Sequence, residues 1–125
     1  MVTLGQTALA AIDLIIAQGA DNSYTMRYST GTPAAPVDLT GWSARAQVRD
    51  RVLGEVWMTL TSPGGIVLDS TGHITITFGH AVTETSAWDS RSVGVWDLEL
   101  TSPGGARLRF ASGAVVVSHD VTRDV

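Results

Sequence analysis

The chain has 125 residues, 44% of them apolar, enough for one domain with its own core and too few for two. It contains no cysteine, which excludes disulfides, thiolate metal sites and thiol nucleophiles. Its formal charge is −4 and all eight cations are arginines scattered along the chain, so it lacks the concentrated basic face that nucleic acid requires.

Residues 1–8 have no hydrophobic period and read as an N-terminal arm. The apolar stretch Leu9–Ala17 is too short for a membrane span, carries Asp13 and lacks the basic flank of a signal peptide. Leu9, Ile12 and Ile16 fit a helix, whereas Ile12, Leu14 and Ile16 fit one face of a strand ended by Gly19; the all-β context favours the strand. From there the dominant period is two. Tyr24, Met26 and Tyr28 alternate with polar residues, as do Trp42, Ala44, Ala46 and Val48. The same holds for Val56, Met58 and Leu60, for Ile74, Ile76 and Phe78, and for Trp96, Leu98 and Leu100. Each run predicts a strand with one buried and one wet face. His80–Trp88 predicts a short helical turn with Ala81, Glu84, Thr85 and Trp88 on one side, and residues 120–125 read as a tail.

Turn residues separate the runs. Gly31-Thr32-Pro33 and Asp69-Ser70-Thr71-Gly72 are two such turns. Leu60-Thr61-Ser62-Pro63-Gly64-Gly65 recurs letter for letter as Leu100-Thr101-Ser102-Pro103-Gly104-Gly105. Proline at the second turn position and glycine at the third predict a type II turn in both, hence two copies of one hairpin; either both loops are displayed at the same end of the domain or, the favoured account, both hairpins simply found the same good turn. Many short strands with such turns predict a β-sandwich or a small barrel, over residues 9–119.

The residues offer little chemistry. His73, His80 and His119 share no strand or helix spacing that prebuilds a ligand pair. Asp97 and Glu99 lie about 7 Å apart on one strand face. Arg107 and Arg109 follow in the next strand and point the same way, so cross-strand ion pairing explains the carboxylates better than acid–base catalysis. There is no nucleophile elbow, phosphate loop or dinucleotide fingerprint. The reading is a non-enzyme with no catalytic residue, cofactor or metal. Trp42 and Trp96 fall on inward faces. Trp57 falls on an outward face and Trp88 in a loop, which makes both candidate binding anchors, with a second packed layer or cover by the N-terminal arm as the equal alternative for Trp57.

The order of these pieces resembles a small immunoglobulin-like family of tailed bacteriophages and prophages, similar to the N-terminal domain of baseplate upper proteins. The pieces are the early strand Ile12–Ala17, the turn Gln18-Gly19, the strand Ser23–Ser29 and Pro36-Val37-Asp38-Leu39-Thr40-Gly41-Trp42. Then come Ala44–Asp50, Trp96-Asp97-Leu98-Glu99-Leu100 and Ser102-Pro103-Gly104-Gly105, so that the match spans residues 11–120. The resemblance implies an all-β, immunoglobulin-like antiparallel sandwich in a single domain. It implies a virion structural protein, made in the host cytoplasm, that serves tail or baseplate assembly and attachment. Because the chain ends soon after the domain, a tail adaptor or a capsid decoration protein on the head lattice is the alternative, and a carbohydrate-binding module using Trp57 and Trp88 is the second. The expected partners are other virion proteins and copies of the chain itself, as a trimer or hexamer, with no nucleic acid and no membrane. The candidate interface residues are Trp57, Trp88, Leu4 in the arm, and Arg45 and Arg49 on an outward strand face, together with exposed strand edges.

Overall fold

A computed structural model describes residues 2–3 and 10–122. The elements in chain order are β1 (Val2–Thr3), β2 (Ala10–Ala11), β3 (Leu14–Ala17), β4 (Asn22–Thr30), β5 (Ala35–Pro36), β6 (Ser43–Arg49), β7 (Val56–Thr61), β8 (Ile66–Leu68), β9 (His73–Phe78), α1 (His80–Thr83), a 3-10 turn at Ser86–Ser90, β10 (Val93–Thr101) and β11 (Arg107–Ser118).

They form two sheets. One runs β1-β4-β9-β8 with β5 also on β4; the other runs β2-β11-β10-β6-β7 with β3 also on β11. Pairing is antiparallel except for three short N-terminal strands: β1 lies parallel to β4, and β2 and β3 lie parallel to β11. The chain changes sheet between β1 and β2, between β3 and β4, between β5 and β6, between β7 and β8, and between β9 and β10. Strands β4, β9 and β8 opposite β11, β10, β6 and β7, joined by those crossings, are the immunoglobulin-like sandwich.

The core is the sum of the inward faces. Ile74, Ile76 and Phe78 of β9 and Ile66 of β8 face Leu98 and Leu100 of β10, Phe110 and Val115 of β11, and Leu14 and Ile16 of β3; all are essentially inaccessible to water. Burying each such side chain contributes about 1.5–3 kcal/mol. The N-terminal segment is strand, as the all-β context favoured. Its open edge is sealed by β4, because the Tyr24 hydroxyl accepts from Ile15 N–H and donates to Ile15 C=O, and the Asn22 amide bonds both Ala17 N–H and Ala17 C=O at 3.0 Å. That leaves β3 few free backbone groups for a foreign strand.

Two irregularities set which side chains face out. Between β10 and β11 the register slips after Leu98, so that Leu98 opposes Ala111 while Glu99 opposes Arg109. Phe110 and Ala111 are consecutive and both buried, and the alternation changes phase across them. Arg107 and Arg109 before the bulge therefore share the outer face with Ser112, Ala114 and Val116 after it. A second slip lies between Val48 and Arg49, which oppose Met58 and Val56, so Trp57 has no direct partner on β6.

The two hexapeptide copies do not build the same hairpin. Residues 100–105 close a true hairpin between β10 and β11, whereas residues 60–65 carry the chain from β7 in one sheet to β8 in the other. Neither is a type II turn, since that needs positive φ at Gly64 or Gly104, and the positive φ falls on Gly105, at +91°. Thr61 stands opposite Arg45 and Thr101 opposite Ser43, so both loops leave the sheet at the start of β6 and share one end of the domain.

Candidate interaction surface

The outer face of the six-stranded sheet carries Arg45, Gln47 and Arg49 of β6, Val95, Asp97 and Glu99 of β10, and Arg109 and Ser112 of β11 around a hollow of about 520 Å³. The β6–β7 loop contributes Val52 and Leu53 to its rim. Cross-strand register orders these residues into rows. At one end Arg109, Glu99 and Arg45 stand side by side, and in the next row Ser112, Asp97 and Gln47. Signs alternate along the first row, so the face is not the single-sign surface that binds phosphates. Arg109 Nε lies 4.0 Å from Asp97 Oδ2, the expected ion pairing, while Arg107 stands opposite Thr101 and not opposite a carboxylate. Arg45 and Glu99 make no hydrogen bond or ion pair among the described residues, and Arg45 is exposed.

At the other end the same face is apolar. Val93 stands opposite Val116, which stands opposite Ile15, and the three are 63%, 45% and 59% exposed. Val95 and Ala114 occupy the adjoining row, and Val95 continues the strip to Val52 and Leu53. Leu53 is 93% exposed and has a φ of 63°, a left-handed conformation that leucine adopts at a cost of about 1–2 kcal/mol. It alone has positive φ among the described residues that are not glycine. Isolated exposed valines are ordinary, but a contiguous apolar strip on one sheet face marks an interaction surface.

The predicted site residues fare differently. Arg45 lies on this face, exposed and without a partner among the described residues. Arg49 is half-buried and spends its guanidinium on the protein itself, donating to Gly54 C=O and Gln47 Oε1 at 2.9 Å each, which pins the β6–β7 loop. Leu4 lies outside the described residues. Val2–Thr3 of the arm runs beside Tyr28 and Ser29 of β4.

Trp88 corrects the expectation of an exposed anchor: it is 1% exposed, held in the core by the 3-10 turn. The helical segment is two short pieces that bury Thr83 and Trp88, while Ala81, Glu84 and Thr85 are exposed. The sequence hid this because a broken helix has no continuous period to read. Trp57 does not stand free either. It packs edge-on against Trp88 at 5.9 Å between ring centroids. The Arg91 guanidinium covers both rings, 4.6 Å from Trp88 and 5.4 Å from Trp57, and reaches Glu55 at 3.5 Å. A Cβ at Gly94 would stand 2.6 Å from the Trp57 ring, so glycine makes room for the indole. The cluster is a corner brace between β7 and the β9–β10 crossing, with cation–π attraction on a largely buried arginine. Trp42 is half-buried and packs edge-on against Tyr28 at 6.0 Å, and Trp96 is buried with its indole N–H donating to Ile12 C=O at 2.7 Å.

The histidines stay apart. His80 pairs with Asp21 at 2.8 Å; this hydrogen bond raises the imidazole pKa, while the His80 backbone N–H first and the imidazole second hold the Asp21 carboxyl below its ordinary value. His73 is bound by Thr71 and Asp69, and His119 meets Trp88 C=O at 3.2 Å. Among the described residues no group of three or more His, Cys, Asp or Glu side chains is placed to hold a metal, and no helix is long and apolar enough to cross a membrane. The residues that sequence reasoning missed are Val52, Leu53, Ile15, Val93 and Val116. The apolar pair Val52-Leu53 between Asp50-Arg51 and Gly54-Glu55 was the available signal, because a loop has no reason of its own to carry two large apolar side chains.

No family model and no curated protein matches the chain. Among solved structures it is similar to Drosophila OTK, extracellular domains 3-5, at 18% identity and a TM-score of 0.40, over 91% of this chain and 35% of that one. The chain thus spans about a third of the length of that structure.

Proposed function

We propose that the chain is a non-enzymatic docking module of a tailed-phage particle, a tail- or baseplate-associated assembly protein that binds other virion proteins through the outer face of its six-stranded sheet. The observation that carries the docking role is that face: an apolar strip at one end and, at the other, opposite charges of which Arg45 and Glu99 have no partner among the described residues. Charges so arranged give orientation, and the apolar strip gives affinity. The phage assignment is supported by the sequence resemblance over residues 11–120. The burial of Trp88 and the packing of Trp57 leave a sugar-stacking platform without its rings, so the carbohydrate reading has no support from the geometry.

Mass spectrometry of purified particles, separated into head and tail fractions, tests the proposal. The chain is expected in the tail fraction. Recovery with heads would move it to the decoration role, and absence from the particle would overturn the virion reading.

A further inference from the structure

We infer that the docking face binds a second copy of this chain, face to face about a two-fold axis that runs parallel to the strands between β6 and β10. The inference deepens the reading of this face as the docking surface, and the geometry selects the occupant.

The charged row fixes where the axis lies. Arg109, Glu99 and Arg45 lie on neighbouring strands β11, β10 and β6. A two-fold axis through β10 itself would set Glu99 against its own copy. Moving the axis by half a strand spacing, about 2.4 Å, sets Glu99 against the partner's Arg45 and Arg45 against the partner's Glu99. Neither group has a bonded partner among the described residues, so the pairing displaces none of their bonds. Two sheets packed face to face stand about 10 Å apart, within the combined reach of an arginine and a glutamate side chain.

The same axis solves the apolar end. Val93, Val116 and Ile15 lie on its β10 side, and the loop residues Val52 and Leu53 lie on its β6 side. The two-fold therefore lays each Val52–Leu53 tip onto the other copy's valine row. A patch on one side meets its complement on the other, twice, as an isologous interface requires. An axis across the strands would instead oppose the apolar end to the charged end and bury unpaired arginines. Leu53 fits the role of anchor: the loop holds it in a left-handed conformation, almost wholly in solvent, where it stabilises nothing within its own chain.

Light scattering after size exclusion, over a wide range of concentrations of the whole chain, tests this. The expected result is a reversible monomer–dimer equilibrium. Leu53→Asn, which removes the anchor and suits positive φ, weakens the dimer about tenfold or more without loss of thermal stability in the monomer. Arg45→Glu and Glu99→Arg each weaken it, and the two together restore it, because the swapped pair is again opposite in sign across the axis. Val67→Asp, on the exposed side of β8 in the other sheet, leaves it unchanged. A monomer at every concentration, a trimer, or a dimer indifferent to Leu53→Asn and to both charge reversals would overturn the inference. A chain found in the particle yet monomeric sinks the inference alone, and a dimer absent from the particle sinks only the virion assignment.

Discussion

The hexapeptides Leu60–Gly65 and Leu100–Gly105 are identical in sequence and opposite in use. The second folds back on itself: Ser102 N–H donates to Ala106 C=O at 2.8 Å and Gly105 N–H to Ser102 C=O at 2.9 Å. The first leaves its sheet. Ser62 still pairs with Ala44 of β6, but by Gly65 the chain accepts from Thr77 N–H of β9 at 2.9 Å, in the opposite sheet. The difference lies in the residues just C-terminal to each copy. Ile66 comes directly after the first copy and is fully buried between the sheets, so the chain turns inward at once. After the second copy come Ala106 and Arg107, both exposed, and Arg109, which stands opposite Glu99 and pairs with Asp97 on the neighbouring strand. Six residues of good turn chemistry allow a reversal of the chain; burial and charge outside them decide between hairpin and crossing.

The largest expected break in that comparison is at the first residue. Leu100 is inaccessible to water and central to the core, while Leu60 is half-buried near the sheet edge. Leu100→Ala should cost about 2–5 kcal/mol of folding stability, and Leu60→Ala roughly half of that or less. Denaturant unfolding of the two variants measures the ratio. Equal losses would mean that the two copies are equivalent in packing after all.

The same contrast explains how much could be read from residues alone. Alternation in Ala44–Val48, Ile74–Phe78 and Trp96–Leu100 located inward faces correctly, because one buried face is a strong and local signal. It failed where a long-range register slip intervened. The bulge at Phe110–Ala111 changes the phase of β11, and only that change puts Val116 on the same face as Arg109. The bulge opposite Val48–Arg49 frees Trp57 to lean on Trp88. Neither slip has a glycine or proline at the site to announce it. Arg45 and Arg49 were legible as outward residues; that Arg49 is tied to Gly54 C=O was not, since the loop geometry comes from the fold. The apolar half of the face was illegible because Ile15, Val93 and Val116 lie in three distant segments and become a row only through pairing with β11.

A smaller effect sharpens the comparison at the last residue. Gly105 has a φ of +91° and nothing within 4 Å of an added Cβ, so its constraint is the backbone alone. Gly65 has no positive φ; its added Cβ would stand 2.8 Å from Leu60 Cδ2, a methyl that can move. Gly105→Ala should therefore cost about 1–2 kcal/mol. Gly105→Asn should cost less, since asparagine tolerates positive φ, and Gly65→Ala should cost less than either if Leu60 adjusts. Thermal unfolding orders the three. An Ala-for-Gly loss larger at 65 than at 105 would show that packing, not backbone conformation, dominates both turns.

The smallest effect separates the two serines. Both hydroxyls accept a backbone N–H, but from different places. Ser62 Oγ takes Ala44 N–H at 2.9 Å, a partly buried bond across eighteen residues to the start of β6. Ser102 Oγ takes Ala106 N–H at 3.1 Å, an exposed bond within its own turn. Removing the first takes the hydroxyl partner from a partly buried donor, whereas water replaces the second. Ser62→Ala should lower stability by about 1 kcal/mol and Ser102→Ala by about 0.5 kcal/mol or less. Amide exchange reports the mechanism directly: Ala44 N–H should lose protection in Ser62→Ala, while the amides of β10 and β11 stay protected in Ser102→Ala. If Ala44 N–H keeps its protection, the side chain does not hold the crossing to β6. The departure of residues 60–65 from the hairpin form must then rest on the burial of Ile66 alone.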